Sequence, residues 1–292
     1  MTYTRIRYDR PANHVARVTL ARSERRNAQD LPMLYEIDSA LNAAGADHDI
    51  SVVILAADGP DFSSGHDLAA DWYGEEAPRP HPVVHQTIGD GLPGIEGWMP
   101  FECEAFLGLS LRWRDFPKPL IAQVQGRVIA GGLMLVWPCD IIIAGRDASF
   151  QDPVVAFGLN GHEYFVHPWE FGARKAKELL FTGNAIGADE ARTIGMVNQV
   201  VDNDELESFT LALAEQIANR PSFALRLAKM SVNTALDAQG QTDAVKAAFS
   251  HHQIGHTNNF HQFGEPLAPN GLPQVRAQIK TQSALDARRS RR

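Results

Sequence analysis

Two segments of this chain combine residue types and spacing suited to holding a negative charge. They are Asp61-Phe-Ser-Ser-Gly-His-Asp-Leu68 and Gln125-Gly-Arg-Val-Ile-Ala-Gly-Gly-Leu-Met134. In each, a strand-like run gives way to small residues and then to a helical pattern, which leaves main-chain N–H groups free at a helix N-terminus. Ser64, Gly65, Gly131 and Gly132 let a ligand oxygen approach the backbone, where a β-branched side chain would block it. Paired, the two segments read as an anion cradle, although Gly131-Gly132 alone would also fit a close helix–strand contact.

Other spacings are weaker. His81 and His85, and the group His252, His256 and His261, have separations that suit zinc on a helix. No matched acid or cysteine set accompanies them, so exposed or core histidines and no metal are expected. Ser63 and Ser64 lie in no G-x-S-x-G elbow, which argues against a serine hydrolase.

The elements that must position the two cradles read as an α/β domain. Val15, Ala16, Val18 and Leu20 form a β-type run, and Leu34, Ile37, Leu41 and Ala44 recur at helical spacing behind the capping candidate Asp30. Val52–Leu55 is a continuous apolar run, the mark of a strand covered on both faces. The stretch 73–97, crowded with Pro, Gly, His and acids, predicts a long surface insertion. A helix from Trp98 to Asp115 follows. Strands at Leu120–Gln125 and Asp140–Ala144 then flank a short helix, Gly131–Val136, in a second β-α-β unit. Beyond Gly172 the pattern is helical apart from a strand at Val197–Val201. Leu206, Phe209, Leu213 and Ile217 share one face, and Leu225, Ala228, Val232 and Leu236 another.

With 292 residues, 44% hydrophobic, the chain can bury a core without disulfides or a structural metal. Cys103 and Cys139 are far apart, which fits inert thiols in a reducing, cytoplasmic setting. A net charge of −8 argues against nucleic acid. The apolar runs are too short for a membrane span. The basic residues Arg288, Arg289, Arg291 and Arg292 read as a solvated tail.

These segments resemble the crotonase (enoyl-CoA hydratase/isomerase) superfamily. F-S-S-G-H-D-L is similar to its first oxyanion segment, and Q-G-x-x-x-A-G-G followed by C-D-I-I to its second. Further matches run through Arg26-Asn27-Ala28, Phe150–Pro153, Leu180–Gly183, Ala188–Arg192, Gly195–Asn198 and Ala224–Lys229, over roughly residues 5 to 260. The resemblance implies a spiral of ββα units over 1–203 with an oxyanion hole, a helical oligomerisation region over 204–264 and a C-terminal tail over 265–292. It further implies a homotrimer or a dimer of trimers. The main-chain N–H groups of His66 and Gly131 would polarise an acyl-CoA thioester carbonyl. Arg26, Ala28, Ser64, Gly65, Asp67 and Leu68 match positions that hold coenzyme A, which is part of the substrate rather than a tightly bound cofactor.

One departure stands out. Where hydratases of the family carry two glutamates, this chain has Met134 and Val154, and neither side chain moves a proton. Other branches use a carboxylate about eight residues beyond the second position. Glu163 is therefore the expected acid/base residue, with His162 next and Asp152, Asp67 and Asp71 behind them. Met134, Trp137 and Phe157 are expected in the acyl pocket or the core. The implied activity is that of a lyase or isomerase acting through an enolate, against a non-catalytic acyl-CoA-binding protein or a thioester hydrolase.

Overall fold

The structure, a computed structural model, describes residues 2–70, 72, 82–85 and 92–289, with side chains through 280. Asp71, His81 and most of the expected insertion over 73–97 lie outside those residues.

β1 (Ile6–Ala12) and β2 (Val15–Leu20) pair antiparallel. α1 (Leu31–Ala46) then opens at Asp30, whose carboxylate accepts the Met33 N–H at 3.0 Å and so satisfies one free donor of the first turn. β3 (Val52–Ala57) returns parallel to β2. Its apolar run is split between two layers. Val53 and Leu55 join the main core with α1, while Val52 and Ile54 meet Leu206 and Ala214 on the other face. That two-sided burial is why the run shows no alternation.

The helix expected over 98–115 begins earlier, as α2 (Ile95–Glu102), and passes through a π-helical turn, Cys103–Gly108, into α3 (Leu109–Arg114). A Cβ at Gly108 would lie 2.6 Å from the Cys103 carbonyl oxygen, so a glycine is what lets the wide turn close. β4 (Leu120–Val124), β5 (Arg127–Ile129), α4 (Gly131–Val136), β6 (Ile141–Gly145) and β7 (Ser149–Gln151) follow. After a 3₁₀ turn at Val154–Phe157 come α5 (His167–Phe171), α6 (Ala173–Thr182), β8 (Ile186–Gly187), α7 (Ala188–Thr193) and β9 (Gln199–Val201). The larger sheet has the order β1-β2-β3-β4-β6-β9, parallel after its first pair. A smaller one, β5-β7-β8, stands beside it. The short strand β5 has no periodic signal in the sequence, and it carries the second cradle out of the main sheet.

The C-terminal part is α8 (Leu206–Ala218), α9 (Ser222–Ala238), α10 (Gln241–Phe263) and α11 (Gly271–Arg289). α9 buries no residue, and Phe223, Leu227, Met230 and Val232 are exposed. The stretch beyond 265, expected as a tail, is ordered by α11, which packs on the 3₁₀ turn. Gly271 sits so close to Phe157 that an added Cβ would lie 2.4 Å from its ring. Among the described residues no helix is long and apolar enough to cross a membrane.

Candidate active site

Main-chain bridges tie the first cradle segment to its neighbours: Gln29 pairs with His66, and Ser63 pairs with Val128 of the second segment. The Gln29 N–H donates to Gly65 O and the Asp67 N–H to Gln29 O, both at 2.8 Å, so the bridge uses the neighbours of His66 and leaves its own N–H unengaged. The Gly131 N–H opens α4, where no intrahelical acceptor exists. Among the described residues neither N–H has a hydrogen-bond acceptor.

Two backbone features set this geometry. Gly65 has φ +87°, and a Cβ there would stand 2.7 Å from Ile129 O and 3.2 Å from Gly131 N. Ala130, at φ +47°, is a non-glycine residue in a region that costs about 1–3 kcal/mol, and it turns the chain so that Gly131 starts the helix. A Cβ at Gly131 would meet the His66 ring at 2.6 Å, and one at Gly132 would meet Ser63 O at 2.9 Å. Gly65, Gly131 and Gly132 therefore also serve the approach of chain to chain.

The segments open on a cavity of about 420 Å³. Arg26, Ser64, His66, Leu68 and Gly131 line it, whereas Ala28, Gly65 and Asp67 are set back. Ala28 is buried and its carbonyl accepts from Arg22 at 2.6 Å; the Asp67 carboxylate is held by the Arg22 guanidinium at 3.1 Å. Arg127 lies at the mouth beside Arg26 and is anchored by Asp61 at 2.6 Å. Trp98, Phe101, Phe106, Val154 and Phe157 supply apolar wall, and Leu272, Val275, Arg276 and Ile279 of α11 cover one side. Met134 and Trp137 belong to the core instead.

The lining also carries the buried side chains of Glu102, His162, Glu163, His252 and His256. Glu102 ends α2 and is nearly surrounded. Its Oε1 accepts from Trp98 Nε1 at 2.6 Å and faces His256 Nε2 at 3.1 Å, and its Oε2 accepts from Gln253 Nε2 at 2.7 Å. Burial would raise this carboxyl, but the charge and hydrogen bond of His256, with His252 and Gln253, bring it down to about 2. His256 responds in kind. Burial lowers it, and Glu102 outweighs burial to leave it above its ordinary value.

Glu163 lies across His252 from Glu102, with its Oε1 3.7 Å and Glu102 Oε2 3.8 Å from His252 Nε2. Burial, reinforced by the Glu102 charge, pushes Glu163 well above the usual carboxylate range. Two carboxyl groups whose environments shift them in opposite directions are the arrangement general acid–base chemistry needs. His162 is also buried and is packed against Trp137 and His167, with ring centroids 4.9 and 4.7 Å away. Burial keeps it neutral. Both His162 and Glu163 thus reach the cavity. Asp152 does not serve it directly: its Oδ2 accepts from His167 Nε2 at 2.7 Å and from the His162 N–H at 3.0 Å, which fixes the loop that presents Glu163.

Glu102, His252 and His256 place their ligand atoms within 4.8 Å of one another, as do Asp152, His162 and His167. In the first set the carboxylate already accepts from Trp98 and Gln253 and faces His256, and in the second Asp152 accepts from His167. Hydrogen bonding within the protein engages the carboxylate of each set, whereas His252 Nε2, both ring nitrogens of His162 and His167 Nδ1 have no partner among the described residues.

The family model for enoyl-CoA hydratase/isomerase matches residues 102–269. EchA13 of Mycobacterium tuberculosis, whose name carries the words enoyl-CoA hydratase, is 46% identical over 248 residues, 84% of this chain and 78% of that protein. The chain belongs to the enoyl-CoA hydratase/isomerase family. A crystal structure titled as a probable enoyl-CoA hydratase from Mycobacterium smegmatis shares 46% identity at a TM-score of 0.81, covering 92% of this chain and all of that one. One from Xanthobacter autotrophicus, titled as an enoyl-CoA hydratase/isomerase, shares 32% at 0.78, covering 100% and 99%. The architecture is therefore the crotonase fold of mixed α/β with a helical C-terminal region.

Within an enoyl-CoA hydratase/isomerase family site, the sequence missed Glu102, His252, His256 and the α11 contacts. Glu102 did leave a trace, as an acid among Phe101, Ala105, Phe106 and Leu107 on a buried face. The four-residue spacing of His252 and His256 is visible in the sequence, but nothing beside it marks them as part of a site. Their partners come from α2 and from the loop after β7, and no local pattern links those segments.

Proposed function

We propose that this chain acts on an acyl-CoA thioester through an enolate whose oxygen is held by the N–H groups of His66 and Gly131, with Glu163 as the acid/base residue. Coenzyme A enters as part of the substrate, its phosphates against Arg26 and Arg127 at the mouth. The observation that carries this reading is one cavity lined by two main-chain amides without acceptors, among the described residues, and by the buried Glu163 carboxyl group, which its surroundings shift above the usual carboxylate range. Each preorganised donor is worth about 3 kcal/mol where charge develops on the carbonyl oxygen. Glu163 then trades a proton with a carbon next to it. Hydration and double-bond isomerisation both fit this apparatus.

Met134 and Val154 supply apolar core and wall, so acid–base duty falls to groups on the other side of the cavity. A binder without turnover has no use for two carboxyl groups buried on either side of one imidazole, an arrangement costly to build. The exposed apolar face of α9 supports assembly into a homotrimer or a dimer of trimers.

Glu163→Gln tests the assignment. Glutamine matches the shape of the protonated acid, so folding should be retained while turnover of an acyl-CoA panel falls about 10²- to 10⁴-fold. Turnover within a few-fold of wild type removes Glu163 from the mechanism.

A further inference from the structure

We propose that His252, on a helix expected to serve only oligomerisation, is the second proton-transfer residue of this site, with Glu102 as its positioning residue. This rests on the reading of Glu163 given above. The tautomer of His252 follows from its contacts. Nδ1 lies 2.8 Å from the carbonyl oxygen of Gly161, which can only accept, so Nδ1 bears the proton and Nε2 the lone pair. Nε2 is buried and has no hydrogen-bond partner, although the residue lines the cavity. A buried acceptor of this kind is expensive unless a ligand or water donates to it.

The groups facing His252 are Glu102 from α2, Glu163 and His162 from the loop after β7, Asp152 and His66 behind them, and His256 on its own helix. Burial lowers the imidazole below its ordinary value against the pull of Glu102, which keeps the lone pair available at neutral pH. Once protonated, the ring is met by the ionised Glu102 3.8 Å away.

The step balances as a water addition. Water donates a proton to His252 Nε2 as its oxygen bonds to the β-carbon of an enoyl thioester, and the π electrons move onto the carbonyl oxygen between the two amides. The enolate then re-forms the carbonyl while its α-carbon takes the proton from Glu163. His252 is left as imidazolium and Glu163 as carboxylate. The 3.7 Å between Nε2 and Glu163 Oε1 is short enough for small side-chain motions to pass the proton back and restore the starting state.

His252→Asn keeps a donor to Gly161 O in place of Nδ1 and removes Nε2. Hydration of an enoyl-CoA panel should fall 10²- to 10⁴-fold with KM little changed. Exchange of the α-protons of a saturated acyl-CoA in D₂O, in which the ionised form of Glu163 takes the proton and the amides hold the enolate oxygen, should persist. Added imidazole should restore part of the rate to His252→Ala, and the acid limb of the wild-type profile, below pH 6.5, should vanish in both variants. Hydration by His252→Asn within threefold of wild type overturns the proposal, as does a wild-type enzyme that exchanges α-protons but hydrates no enoyl thioester. Should His252→Asn not fold, a wild-type kcat/KM without an acid limb overturns it equally. Loss of exchange in Glu163→Gln tests the underlying reading separately.

Discussion

The oxyanion cradle and the acid–base cluster line the same cavity but are built by different means. The cradle is made of backbone. Its donors are main-chain N–H groups, placed by bridges between residues 27–29, 61–67 and 127–131 and by glycines whose absent side chains let those strands touch. The cluster is made of side chains from three places far apart in sequence, with Glu102 on α2, Glu163 after β7 and His252 and His256 on α10. A backbone site is written in short, contiguous motifs, because the turn that makes it is local. A side-chain site is written in the packing of distant helices, and each of its residues looks ordinary on its own.

The largest test of this contrast is Glu102→Gln. Measured at pH 5.5, below the ordinary imidazole value that His256 exceeds, it removes the counter-charge from a buried His256 and should cost about 3–5 kcal/mol of stability, read from the denaturant midpoint, since breaking a buried pair strands a charge. A loss below 1 kcal/mol would mean that His256 is neutral and that Glu102 holds no charge network. Next comes Gly131→Ala. The new methyl group meets the His66 ring, displaces both halves of the cradle, and should lower kcat about 10²- to 10³-fold with Glu163 intact. Unchanged kcat would separate the cradle from the chemistry.

The smallest effect is the pH dependence of stability. The folded-state pKa of Glu163 is raised, so between its unfolded value near 4.5 and that higher value the folded state binds more protons. Stability must therefore decline as pH rises through that window, by up to about 1.4 kcal/mol per unit. Glu102 has the opposite sign: its contribution is present above 4.5 and is lost as pH falls toward 2. Glu163→Gln should flatten the first decline and leave the second, as followed by thermal midpoints across pH.

How much was legible follows the same division. The Asp30 cap, the two-faced strand at Val52–Leu55 and the Gly131–Val136 helix could be read because local chemistry decides them. The short β5 and the π turn at Cys103–Gly108 could not, since β5 takes its pairing from β7 and the π turn shows only as a lone glycine. The residues assigned to coenzyme A divide likewise. Arg26, Ser64 and Leu68 line the cavity, while Asp67 is held by Arg22, a contact 45 positions away in sequence.

A crystal structure with an acyl-CoA bound tests the central claim most directly. The account predicts the thioester oxygen about 2.7–3.1 Å from both the His66 and the Gly131 nitrogens, with the acyl carbons facing Glu163. A thioester bound in this cavity with its oxygen turned away from either amide would contradict it.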